Sequence, residues 1–204
     1  QHTGEHILSG LVHKHYGYDN VGFHMGTEEV TIDFNGVLTQ KQLEALEDEA
    51  NEIIYANVPV KALYPESKEL DALDYRSKKE LTGQVRIVEI PGADVCACCG
   101  THVSSSGQVG LVKLLSCQKF RSGVRIELVC GKRALDHLSR VWEQNHQISN
   151  LLSAKAGETA GAVARLLEEN QTLKGHLAAL EDARFAALAG QYRDAGDLLL
   201  FEES

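Results

Sequence analysis

The chain has 204 residues, 43% of them apolar, and a formal net charge of −9, which is ordinary for one globular domain with an appendage. No apolar run approaches the ~20 residues needed to span a bilayer. Five cysteines, an odd number without a disulfide-like framework or a secretory leader, point to a reducing cytoplasm rather than an exported scaffold.

In chain order the pattern reads as α+β. Residues 2–16 form a predicted helix that ends near Gly17. Glu29 to Phe34 alternates, with Val30, Ile32 and Phe34 on one side, as a half-buried strand does. Thr39 and Gln42 make a capping box, after which Leu43, Leu46, Ala50, Ile53 and Ile54 recur at helical spacing. Val58–Leu63, Val85–Ile90, Val109–Leu115 and Val124–Val129 supply further strands, the last two joined as a hairpin through Gln118 to Gly123. Residues 66–84 are polar and weakly patterned, a surface loop with a helical turn.

From Lys132 onward long helices take over. Val163, Leu166, Asn170, Leu173, Leu177, Leu180 and Arg184 step by three and four, a short heptad seam. The expected arrangement is a helical hairpin over 135–195, broken at Gly157 and Gly161, with a coiled-coil homodimer as the second option. A glutamine directly before the first candidate metal ligand, and the apolar Leu198–Phe201 that stops at once, suggest a piece of a longer protein. Residues 196–204 would then begin a truncated C-terminal domain.

The chemistry concentrates in two short strings. His2 and His6 lie one helical turn apart in Gln1-His2-Thr3-Gly4-Glu5-His6, so both imidazoles can aim at one point. Cys98-Cys99-Gly100-Thr101-His102 brackets a turn in which Gly100 lets the backbone fold tightly, so a thiolate and a third imidazole can converge from the other side. Three imidazoles and one thiolate suit Zn2+ better than Mg2+ or Ca2+. The order His-x-x-Glu-His is not the His-Glu-x-x-His of metalloproteases, and Glu5, about 100° around the helix from His6, reads as a solvent-facing first-turn carboxylate.

These strings, with Val85-Arg86-Ile87-Val88-Glu89-Ile90, Asp94 to Val103 (DVCACCGTHV) and Gly123-Val124-Arg125-Ile126-Glu127, resemble the editing domain of alanyl-tRNA synthetase and its free-standing AlaX-type relatives, the alanyl-tRNA editing proteins. The resemblance covers roughly residues 1–134. It implies a fold like the second additional domain of threonyl- and alanyl-tRNA synthetases, a mixed or antiparallel sheet with packed helices, and zinc held by His2, His6, Cys98 and His102. It also implies an aminoacyl-tRNA deacylase that hydrolyses serine, and glycine as a further candidate, from mischarged tRNA(Ala). The family's usual Cys-Gly-Gly-Thr-His reads Cys-Cys-Gly-Thr-His here; Cys99 is expected to be a small buried residue, and Cys117 and Cys130 to be core.

An RNA partner fits the distribution of charge better than its sum. Residues 101–134 hold Lys113, Lys119, Arg121, Arg125, Lys132 and Arg133 against Glu127 alone, directly after the second half of the metal motif. Lys113, Arg121 and Arg125 are candidate phosphate contacts, and scarce aromatic residues argue against base stacking. Asn20 is a candidate for gripping a substrate hydroxyl, since a pocket built to bond that group rejects alanine. Thr101 and His24 are candidates for orienting the attacking water. A zinc-stabilised RNA-binding module without catalysis is the alternative reading.

Overall fold

The computed structural model describes residues 1–77 and 83–191. The chain divides into two compact units, Gln1–Arg140 and a second from Val141 onward.

In the first unit helix α1 (His2–Tyr16) leads to strands β1 (Asn20–Met25) and β2 (Val30–Phe34), helix α2 (Gln40–Tyr55), strand β3 (Lys61–Leu63) and a short helix α3 (Ser67–Asp71). Strands β4 (Ile87–Ile90) and β5 (Asp94–Ala97), a 3-10 turn at Ser106–Val109, and the long strands β6 (Val112–Phe120) and β7 (Gly123–Cys130) follow. One sheet has the order β1-β2-β7-β6 and the other β3-β4-β5, and every pairing of these strands is antiparallel.

Local chemistry sets most of these boundaries. Gly17 closes α1 in the left-handed region (φ 66) and returns its N–H to the His13 carbonyl, a conformation that costs a residue without Cβ little. Thr39 and Gln42 form the reciprocal capping box at the start of α2. Glu66 and Glu69 do the same for α3, the helical turn expected inside the polar loop.

Several elements differ from expectation: the strand expected over Val58–Leu63 spans only Lys61–Leu63, and that expected from Val85 starts at Ile87. β1 and β5 were not read as strands: β1 is short of apolar alternation, and β5 is only four residues long and runs directly into the Cys98–His102 string. The strand expected from Val109 starts instead at Val112, because Gly110 adopts φ 83 and breaks the extended run. It then runs on to Phe120, and Arg121 (φ 52) turns the hairpin tightly enough to pair Phe120 with Gly123.

The core lies between α1, α2 and the larger sheet. Ile7, Leu8, Leu11 and Val12 of α1 meet Val30, Ile32 and Phe34 of β2 and Val124, Ile126 and Leu128 of β7, all essentially buried. Each such side chain contributes roughly 1.5–3 kcal/mol by leaving water. Gly10 allows α1 to press against the β4–β5 turn: a Cβ there would stand 2.3 Å from the Ala93 carbonyl oxygen. Because the sheets and the loop after β5 surround the start of α1, every residue from Thr3 to Val12 is buried.

Helix α4 (Lys132–Leu151) begins in the first unit, and α5 (Thr159–Gln191) lies in the second. The break between them falls at residues 152–158, where Asn145 Nδ2 donates to the Ala156 carbonyl (2.8 Å) and Asn145 Oδ1 accepts from Thr159 Oγ1 (2.9 Å). Gly161, expected to break the helix, lies inside α5. The seam residues Val163, Leu166, Leu173, Leu177 and Leu180 are exposed. Leu198–Phe201, expected to begin another domain, lies outside the described residues.

Candidate metal centre

The two halves of the motif meet. Donor atoms of His2, His6, Cys98 and His102 all lie within 4.8 Å of one another. α1 presents His2 and His6 from successive turns, their ring centroids 4.8 Å apart and nearly perpendicular. The loop after β5 brings Cys98 and His102 against them, with the His102 ring 4.4 Å from that of His2 and 4.6 Å from that of His6.

Each imidazole is oriented through its Nδ1. His2 Nδ1 lies 3.1 Å from the Thr101 carbonyl oxygen, to which it donates as Nδ1–H. His102 Nδ1 lies 3.2 Å from Thr3 Oγ1, which also accepts the Val103 N–H. His6 Nδ1 lies 2.8 Å from Asp94 Oδ2. Fixing Nδ1–H in this way leaves the Nε2 lone pairs free for a metal. His102 Nε2 is buried and has no hydrogen-bond partner among the described residues, an expensive state that a bound cation would relieve.

Two arginines hold the surroundings. Arg76 grips Asp94 with two bonds of 2.8 Å, Nε to Oδ1 and Nη2 to Oδ2. Arg86 Nη1 donates to the Cys98 and Gly100 carbonyls at 2.6 and 2.9 Å. Gly100 is required by close approach, since a Cβ would stand 2.2 Å from His2 Cε1, and its N–H donates to Cys98 Sγ (3.3 Å).

The electrostatics favour a thiolate at Cys98 and a neutral imidazole at His102, and make His6 strongly basic. Burial pushes the Cys98 thiol up, but His102, His2 and His6 together with the Gly100 N–H outweigh it and bring it down to about 3, a thiolate. Burial lowers His102, and the neighbouring charges of His6 and His2 add to that effect against Cys98. Burial also lowers His6, but Asp94, the Cys96 and Cys98 thiols and Glu5 reverse this and raise it to about 11. The carboxylate that makes His6 basic toward a proton makes it basic toward a metal as well. Zinc therefore fits this donor set: a thiolate and three tautomer-fixed imidazoles make four ligands. A second trio, His6, Asp94 and Cys96, also falls within 4.8 Å, but the Arg76 guanidinium already neutralises Asp94 there.

A cleft of about 670 Å³ opens from His2 and His102, lined in part by Thr101, Phe23, Met25 and Lys132. Of the other sequence candidates, Thr101 lies at this cleft. His24 does not: it sits between Phe23 and Met25 on β1, so strand alternation turns it to the opposite, exposed face. Asn20 is buried behind α1, its Nδ2 donating to Glu5 Oε1 (2.6 Å) and Ser9 Oγ (3.2 Å). Lys113 is paired with Glu47 of α2. Arg125 makes two bonds to Asp33, of 2.7 and 2.8 Å, and lies 3.9 Å from the centre of the Phe120 ring. Arg121 caps the hairpin, nine residues from Cys130, which at ~3.3 Å per residue is ~30 Å away.

Two expectations are corrected. Glu5 is 1% exposed rather than solvent-facing: α1 has no wet side at its start, and Ser9 Oγ donates to Glu5 Oε1 at 2.7 Å. Cys99 is exposed rather than buried, because the bend that turns Cys98 toward the histidines turns its neighbour outward. Cys130 is buried as expected, and burial raises its thiol to about 12; Cys117 is only half-buried. Asp94, Thr3 and Arg76 were missed. Asp94 could have been found as the position two before Cys96 on one strand face, whereas nothing in the polar loop marks Arg76.

This domain joins a three-histidine, one-cysteine donor set where its first helix meets the loop after β5. Within it, residues 85–127 match the threonyl and alanyl tRNA synthetase second additional domain. The chain is similar to the alanyl-tRNA editing protein Aarsd1-A of Xenopus laevis, at 30% identity over 89% of this chain and 46% of that protein. It is similar to the alanyl-tRNA editing protein AlaX-L of Pyrococcus horikoshii, at 36% identity over 69% of this chain and 35% of that protein. It also matches the alanine–tRNA ligase of Chlorobaculum tepidum, at 35% identity over 93% of this chain and 23% of that protein. The resemblance read from the sequence is borne out over most of the chain, which spans less than half the length of each of these relatives.

Proposed function

We propose that this chain is the hydrolytic part of an alanyl-tRNA editing enzyme that removes serine, and glycine as a second substrate, from mischarged tRNA(Ala). The observation that carries this reading is the convergence of His2, His6, Cys98 and His102 beside an open cleft. Zinc held by these four side chains would supply Lewis acidity next to the ester carbonyl. The chain's own residues do the rest. Thr101 holds His2 through its carbonyl, and its exposed position in the cleft suits its hydroxyl to orienting a water. Asp94, fixed by Arg76, keeps His6 in register, and the ester, already an activated bond, needs mainly positioning. Such an enzyme would work in the cytoplasm, where tRNA is charged. No helix among the described residues is long and apolar enough to cross a membrane.

One observation favours a second reading, an RNA-binding module without catalysis: four protein donors close a tetrahedral site, as structural zinc sites do. The two are separated by incubating the purified chain with Ser-tRNA(Ala) and following ester loss. Acceleration over the spontaneous rate, with metal content and activity both lost in His6→Ala, supports the hydrolase. No acceleration by a zinc-loaded chain overturns it, as does a fully active metal-free variant.

A further inference from the structure

Two side-chain amides complete one end of the larger sheet. The pairing of β2 with β7 stops at Val30 and Leu128, so Cys130, two residues on, extends past β2. Cys130 is buried, and an unmet backbone N–H and C=O there would be costly. Gln1 takes the place of the missing strand: its Oε1 accepts the Cys130 N–H at 2.9 Å and its Nε2 donates to the Cys130 carbonyl at 2.6 Å. Across the sheet Cys130 faces Val112 of β6, and Asn51 of α2 treats that residue in the same way. Its Oδ1 accepts the Val112 N–H and its Nδ2 donates to the Val112 carbonyl, both at 2.9 Å. Facing residues whose backbone groups all point outward make the non-hydrogen-bonded kind of antiparallel pair. A primary amide carries, in one plane, the donor and the acceptor that a neighbouring strand would have supplied.

The two clamps differ in what they hold. Asn51 lies within α2, a helix anchored by the buried Leu43, Leu46, Ala50 and Ile54. Gln1 directly precedes His2 and stands at the N-cap of α1, yet its side chain makes no capping bond, although that place favours residues that do. The amide serves the sheet instead of the helix. The first turn of α1 has no large apolar anchor, since the core contacts of the helix begin at Ile7, and Thr3 is engaged with His102 itself. That turn is nonetheless pressed onto β7: a Cβ at Gly4 would collide with Cys130 Sγ. With both ends of its amide occupied, Gln1 acts on the centre through position.

We propose that Gln1 is a positioning residue for the metal centre: by standing in for a strand beside Cys130, its amide fixes the first turn of α1 and holds the His2 imidazole in the four-donor set. His2 Nε2 lies 3.7 Å from Cys98 Sγ, and its ring centroid 4.4 Å from that of His102, so a small shift of this turn opens both approaches. The inference rests on the metal-binding half of the reading above and not on hydrolysis.

The test measures zinc affinity of the zinc-loaded chain by competition with a chelator, and Tm at saturating zinc to follow folding. Gln1→Glu and Asn51→Asp each exchange an amide for a carboxylate of the same shape, removing the bond to a backbone carbonyl on opposite sides of one row. Gln1→Met keeps the length of the side chain and removes both polar groups. The expected result is zinc binding weakened roughly 10-fold in both Gln1 variants, the lower end of what groups supporting metal ligands contribute. Asn51→Asp should lower Tm and leave zinc affinity at the wild-type value. Wild-type zinc affinity in either Gln1 variant overturns the proposal. An equal loss of affinity in Asn51→Asp overturns it as well, because both amides would then act only through the stability of the sheet, and so does a Gln1 variant that no longer folds. The hydrolase reading fails separately: a wild-type chain that binds zinc through Gln1-dependent geometry but leaves Ser-tRNA(Ala) intact keeps this inference and loses that one.

Discussion

The metal corner and the tip of the β6–β7 hairpin both gather charged and ionisable side chains, yet they use them in opposite ways. At the corner His6, Asp94 and Glu5 are each no more than 5% exposed, and each is held by a partner from a different stretch of chain. At the tip Arg125 and Asp33 face each other across adjacent strands, partly in water, with Phe120 beneath the guanidinium. Burial makes the difference. A charge withdrawn from solvent must have its hydrogen bonds supplied by the fold, so the corner is a connected network in which one loss propagates. A charge left in solvent loses little when its partner goes.

Asp94→Ala should break this contrast most severely. It leaves the Arg76 guanidinium without its bidentate partner and frees the His6 ring. Loss of one partner of a buried ion pair costs about 3–5 kcal/mol, and loss of a carboxylate behind a metal-bound histidine costs roughly 10- to 100-fold in metal affinity. Chemical denaturation and a competitive zinc chelator read the two effects separately; wild-type values for both would mean that the network does not support the centre.

Gly100→Ala should have an intermediate effect. The added methyl meets His2 at 2.2 Å, so the Cys98–His102 loop must shift. The expected outcome is weakened zinc binding with near-normal fold stability, read as chelator competition against Tm.

Asp33→Asn at the hairpin should have the smallest effect, and its pH dependence has a definite sign. The hydrogen bond from Arg125 holds the Asp33 carboxyl below the usual range, against a burial effect that would raise it. Its contribution to stability is therefore present above the unfolded carboxyl's pKa of about 3.9 and is lost as pH falls through the lowered folded value. Wild type and Asp33→Asn should differ slightly in Tm at pH 7 and converge toward pH 2–3, with zinc binding unaffected throughout. A variant that lost zinc would show that the hairpin and the corner are coupled after all.

Much of this protein was legible because it depends on neighbours in sequence. The turn-to-turn spacing of His2 and His6, the Thr39 capping box, the left-handed close at Gly17, and the alternation of Val30, Ile32 and Phe34 all follow from helix and strand periodicity. The convergence of the four candidate donors His2, His6, Cys98 and His102 was legible for a related reason, since each half of the set is local and only the meeting of the halves is not.

The tertiary structure alone decided what faces what. Glu5 is buried because β-structure covers both sides of the start of α1, His24 is turned from the cleft by the pairing of β1 with β2, and Lys113 and Arg125 are occupied by carboxylates 66 and 92 residues away. Arg76 stands behind His6 only because the polar loop folds back along β5. Periodicity assigns a side chain to a face of its own helix or strand, but whether that face meets water, a carboxylate or a metal depends on long-range packing, which local spacing does not encode.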